Sequence, residues 1–151
     1  MPDSIRVFRY YNTSKGGRNT TAPSGLVGWA GVDSGWDNSP RWDHGIVEAI
    51  DLNGWLHLDQ LFLAQMARDL GKDPAEVHGW AGKAAAVAAL VQSRLWAPTA
   101  GVFWDRVPAN ARNATVADRL VKVVTPATLW SLLAGIATPA QAAAQVKVRQ
   151  L

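Results

Sequence analysis

From Ile46 onward, apolar residues recur at helical spacing. Ile46, Ile50, Leu52, Leu56, Leu61, Phe62 and Leu70 supply the positions, and Gly71 supplies a stop. The next stretch opens on Asp73-Pro74-Ala75-Glu76, with aspartate at the N-cap, proline at the first helical position and glutamate at the third. The helix it predicts runs to about Leu95, is rich in alanine (Ala84-Ala85-Ala86, Ala88-Ala89) and ends before Pro98. Those alanines let neighbouring helices approach closely, so this helix is expected to pack on both sides. Residues 99–108 read as a turn or short hairpin around Gly101-Val102-Phe103-Trp104. Residues 109–115 read as a connector, and 116–124 as a short helix or an extended segment. Thr125-Pro126-Ala127-Thr128 starts another helix, stopped by Gly135. Thr138-Pro139-Ala140-Gln141 then repeats the capping logic for an alanine-rich terminal helix. Several helices with short, punctuated connections and almost no period-two alternation predict an all-α fold. The start x-Pro-Ala recurs at 73–75, 125–127 and 138–140, which points to repeated helical hairpins.

The first third of the chain follows another pattern. Ile5-Arg6-Val7-Phe8-Arg9-Tyr10-Tyr11 suits a short helix end or a strand, and residues 12–25 form a Gly/Ser/Thr/Asn-rich loop. Ser14-Lys15-Gly16-Gly17-Arg18 lacks the spacing of a phosphate-binding loop or a dinucleotide fingerprint and reads as a connector. The expected organisation is one α-helical segment over 1–151: connector and loop at 1–31, a site loop at 32–45 and helical hairpins at 46–151.

That site loop is Val32-Asp33-Ser34-Gly35-Trp36-Asp37-Asn38-Ser39-Pro40-Arg41-Trp42-Asp43. Gly35 and Pro40 block a regular helix or strand through it. Its mixture of tryptophans, carboxylates, an amide and an arginine does not suit a packed core, where every charge must be paired. It reads either as a polar surface loop with inward tryptophans or as a binding loop on a rigid scaffold.

Charge separates those readings. Asp33, Asp37, Asp43, Glu48, Asp51 and Asp59 face one base, Arg41, a local charge of −5 in a chain whose net charge is +3. An acidic, tryptophan-rich patch on an otherwise basic chain suits a neutral ligand that turns cationic as it reacts. Sugars do so, because glycosidic cleavage passes through an oxocarbenium-like transition state. Nucleic acid is a poor fit, since phosphates want basic charge at the site itself.

Composition narrows the rest. At 151 residues with 48% hydrophobic content, the chain is one globular domain or part of a larger one. Eight tryptophans against three phenylalanines favour flat, amphipathic contact surfaces as well as core. Without cysteine there is neither a disulfide framework nor a thiolate metal site. His44, His57 and His78 show no metal-ligand spacing, so neither a metal nor a cofactor is expected. Met1-Pro2-Asp3-Ser4-Ile5-Arg6 lacks a signal-peptide pattern, and no apolar run approaches the ~20 residues needed to span a bilayer. A cytoplasmic location with no membrane partner is the expectation.

Gly35-Trp36-Asp37-Asn38-Ser39-Pro40-Arg41-Trp42-Asp43, followed by Ala49-Ile50-Asp51-Leu52-Asn53, resembles the catalytic-acid region of glycoside hydrolase family 63. The nearest flavour is its bacterial branch of mannosylglycerate and glucosylglycerate hydrolases; trehalases share a related Ser-Gly-Trp-Asp stretch with a different tail. The likeness continues through Gly101-Val102-Phe103-Trp104-Asp105-Arg106 and from Thr125-Pro126 to Gly135-Ile136-Ala137-Thr138-Pro139.

The resemblance implies an (α/α)6 toroid, here an incomplete barrel, and an inverting hydrolase of α-glucosides or α-mannosides. Inversion needs two carboxyl groups roughly 6.5–9.5 Å apart, one protonating the leaving oxygen and one activating water. Asp37 falls at the general-acid position, where an apolar-aromatic setting and neighbouring carboxylates would keep it protonated. Trp36 and Trp42 are candidates for sugar stacking or for core. Arg41 is a candidate for contacting a substrate hydroxyl or carboxylate, or for holding Asp37 or Asp43 in an ion pair. Asn38 and Asp43 complete the substrate-binding candidates. Asp51 and Asn53 suit helix capping. Asp33 stands where relatives often carry glutamate. The only glutamates, Glu48 and Glu76, fall in stretches that match helices, so the family's general base is expected outside this chain. That leaves its activity alone in question and makes a non-catalytic carbohydrate-binding or assembly module, or an inactive fragment, the alternative. The expected partners are a sugar or glycoside, and another polypeptide or a second copy completing the toroid. That last expectation rests on the terminal helix, whose face of Ala140, Ala143, Ala144 and Val148 has no obvious partner.

Overall fold

The structure is a computed structural model that describes residues 24–29, 38–108 and 119–148. Their order is β1 (Gly28–Trp29), a 3-10 turn (Pro40–His44), β2 (Val47–Glu48), α1 (Ile50–Asp69), α2 (Pro74–Arg94), β3 (Trp96–Ala97), β4 (Val102–Phe103), β5 (Asp105–Val107), β6 (Arg119–Val121), a second 3-10 turn (Pro126–Leu129), α3 (Trp130–Leu133) and α4 (Pro139–Val148). The described residues are mostly helical.

The long helices form where the capping residues place them. Asp73 Oδ1 accepts from the Ala75 N–H at 2.8 Å, and Pro74 occupies the first turn of α2. At α4 the capping box closes in both directions. The Thr138 N–H donates to Gln141 Oε1 at 2.9 Å, and the Gln141 N–H donates to Thr138 Oγ1 at 3.3 Å. The helices α1 and α2 pair along their length, sealed by His57, whose Nδ1 donates to the Ala84 carbonyl at 2.9 Å. Trp55, Phe62, Met66 and Leu70 lie on the opposite side of α1 and are exposed.

The all-α expectation is amended by two small sheets. An antiparallel sheet in the order β1-β2-β5-β6 ties the segment before the site loop to the second half of the chain, and β3-β4 forms a hairpin. Residues 46–49, expected to be helical, instead carry β2. Val47 pairs with Trp29, and Glu48 pairs with both Gly28 and Arg106. Strands of two or three residues leave no alternation to read, and the pairing is set by partners far along the chain. Gly28 is required here, since a Cβ on it would lie 2.9 Å from the Val47 carbonyl oxygen.

The core has two main parts. Leu26, Ile50, Val91, Leu95 and Phe103 gather between the helices, and Val27, Val47, Ala49, Leu52 and Val107 gather beneath the sheet. The terminal helix attaches differently from expectation. Ala144 and Val148 approach Gly101 in the β3-β4 turn, while Ala140 and Ala143 are exposed. Glutamine amides fasten the rest of α4. Gln92 and Gln141 exchange two hydrogen bonds of 2.8 and 2.7 Å, and buried Gln145 donates to the Thr128 carbonyl at 2.8 Å.

Candidate active site

The described part of the site loop runs from Asn38 through a 3-10 turn, Pro40–His44, started by proline and closed by Gly45 at φ 80°. Arg41 points inward from it and is 1% exposed, the largest fully buried side chain among the described residues. Its Nη1 and Nη2 donate to Asp51 Oδ2 and Oδ1 at 3.0 and 2.8 Å, a bidentate fork. Its Nε lies 2.7 Å from Asp105 Oδ2, an ion contact whose N–H is not aligned for a hydrogen bond.

Both carboxylates are bound at the start of α1. Asp51 Oδ1 also accepts from the Leu52 N–H at 2.8 Å, and Asp105 Oδ1 accepts from the Ile50 N–H at 2.9 Å. Ala49, at the N-cap position, has no side chain that could do this. The missing cap is therefore supplied from β5, 55 residues on.

The cluster holds two carboxylates and one guanidinium out of water. Burial pushes the Asp105 carboxyl up from 3.8 to about 6, against the opposing attraction of Arg41, with Asp51 adding to the rise.

A second buried pair lies beside the first. Glu48, fully buried, accepts from Arg106 Nη1 at 3.3 Å and from Ser24 Oγ. Asn53 fastens the strand entering the loop: its Oδ1 accepts from the Val27 N–H at 3.0 Å, and its Nδ2 donates to the Val27 and Ala49 carbonyls, each at 2.8 Å. Asp51, expected as a capping residue, does accept from a first-turn N–H of α1 and also holds the loop through Arg41, while Asn53 ties the segment entering β1 to the same turn.

Of the expected site residues, Trp36 and Asp37 lie outside the described residues, as does Asp33. Asn38 and Asp43 are exposed. Trp42 is half-buried: it packs against the sheet core, and the Arg41 Cζ stands 4.5 Å from its ring centroid. Arg41, expected to meet substrate or to pair with Asp37 or Asp43, has Asp51 and Asp105 as its described partners. His44 Nδ1 accepts from Arg119 Nη2 at 3.1 Å, linking the end of the turn to β6. Sequence reasoning gave no role to Asp105, Arg106 or Glu48. The available signal was an Asp-Arg pair directly after the apolar run Val102-Phe103-Trp104, since charges adjoining a core strand need partners.

No curated protein matches the chain. A family model, the mannosylglycerate hydrolase MGH1-like glycoside hydrolase domain, matches residues 2–150. With nearly the whole sequence so matched, the chain belongs to the MGH1-like glycoside hydrolase domain family.

Proposed function

We propose that this domain carries the general acid of an inverting glycosidase of the family 63 type acting on α-glucosides or α-mannosides. Asp37 donates the proton to the leaving oxygen. Trp36, Asn38, Trp42 and Asp43 meet the sugar, and Arg41 serves from behind the loop. The observation that carries this reading is the family match over residues 2–150. The build of the loop supports it, since a turn bearing Trp42 is pinned to a helix start by buried ion pairs. The general base comes from a chain segment outside these residues. Further helices, in the same or another polypeptide, complete an (α/α)6 toroid by covering exposed Trp55, Phe62, Met66 and Leu70 on α1.

Replacing Asp37 with Asn in the active protein should lower turnover by about 10²–10⁴-fold, because that is what a positioned general acid contributes. Following the anomer first released by NMR tests inversion. Full activity in the Asn variant removes Asp37 from the chemistry. Sugar binding without turnover in the complete assembly points to the non-catalytic module instead.

A further inference from the structure

Arg41, Asp51 and Asp105 come from three elements, the 3-10 turn, the first turn of α1 and β5, and converge on one guanidinium. A bidentate fork fixes both the position and the plane of that group. The third contact, at Nε, then fixes the stem of Arg41 on the side facing β5. The Trp42 ring lies against the same guanidinium. A shift in Arg41 must therefore carry Trp42 with it.

We infer that Asp105 is a positioning residue for the site loop, acting through Arg41 to set where the turn Pro40–His44 and the Trp42 ring stand. The inference rests on the proposed reading only in taking this loop to face the sugar. Asp51 anchors the fork to the helix, and Asp105 is the member that changes charge, losing its hold on Nε when protonated.

Among the described residues, the groups facing Asp105 are few. Arg41 reaches it from the turn, and Asp51 and the Ile50 N–H from α1. From β6 the residue opposite it is Val121. On β2, Glu48 is engaged with Arg106, whose side chain leaves the other face of β5. Protonation near pH 6 is thus a local event on the Arg41 side.

The Trp42 indole N–H resonance, assigned by its loss in Trp42→Phe, reports the event without any substrate. In the unmodified chain it should move with pH through one inflection near 6. Asp105→Asn, which can still accept from the Ile50 N–H, should abolish that inflection and leave the resonance near its low-pH position. Asp105→Glu should restore an inflection. An indole that does not titrate, or one that titrates unchanged in Asp105→Asn, overturns the inference. Should Asp105→Asn fail to fold, Arg41→Lys removes the fork and the Nε contact and must likewise abolish the inflection. In an active assembly, Asp105→Asn should lower kcat roughly tenfold at pH 7 with KM within about twofold, as a small misplacement of the loop would do. Unchanged kcat also overturns it. Indole behaviour as expected in an assembly that cleaves no α-glucoside or α-mannoside keeps the positioning role and defeats the catalytic reading instead.

Discussion

Arg41 shows what a buried cation asks of its neighbours. With both Asp51 and Asp105 ionised, the cluster carries an uncompensated negative charge, and one proton on Asp105 neutralises it. Because the folded pKa of Asp105 is raised from 3.8 to about 6, its contribution to stability is fully present below about 3.8 and is lost as pH rises through about 6. A tenfold change in proton affinity on folding is worth about 1.4 kcal/mol. Asp105→Asn should therefore gain on the unmodified protein by a few kcal/mol between pH 4 and pH 7, measured by urea unfolding at each pH. A difference that stays flat over that window contradicts the raised pKa. Arg41→Met should act the other way, costing about 3–5 kcal/mol at pH 7, since it strands two buried carboxylates. The sequence shows why this site was half legible. An arginine between Pro40 and Trp42 in an acidic run announced an ion pair, but nothing local marked Asp51 and Asp105 as its partners over Asp37 or Asp43.

At the scale of elements, legibility follows the range of the signal. Caps act over three or four residues, so the starts of α2 and α4 could be read from Asp73-Pro74 and Thr138-Pro139-Ala140-Gln141. The start of α1 could not, because its cap is borrowed from a strand. β2 escaped reading because its register depends on Arg106, 58 positions away. β6 falls in the stretch 116–124, read as a short helix or an extended segment, and the pairing with β5 selects the extended form. Asp73→Ala should lower stability by about 1 kcal/mol, seen as a shift in the urea midpoint with unchanged slope. Phe103→Ala empties a fully buried position in the β3-β4 hairpin and should cost about 3–5 kcal/mol. Gly101→Ala should also destabilise, since φ is +68° and the new methyl would sit 3.3 Å from Ala144 Cβ.

Over the whole molecule, the apolar pattern is two-sided. The helix α1 buries His57, Gln60, Ala64 and Ala67 on one side and exposes Trp55, Phe62, Met66 and Leu70 on the other. The helical recurrence of apolar residues from Ile46 to Leu70 was visible in the sequence; which of them would be covered was not, since that depends on α2. Replacing Phe62 and Leu70 together with Gln should leave unfolding stability within about 0.5 kcal/mol. On the proposed reading that further helices cover this stripe, a second copy doing so would show as concentration-dependent association that the double variant weakens in sedimentation runs, and a large loss of stability would mean that the stripe is internal. The borrowed cap on α1 has a kinetic side as well. A loop of 55 residues must close before Asp105 reaches the Ile50 N–H, at an entropic cost of about 3.5 kcal/mol for an idealised flexible chain. The first turn of α1, and the site loop fastened to it, should thus order late, after α1 and α2 have paired through their adjacent sequence. A nascent chain lacking β5 would carry a formed helical hairpin with a frayed leading end, and amide exchange at Ile50 would report the moment that end is sealed.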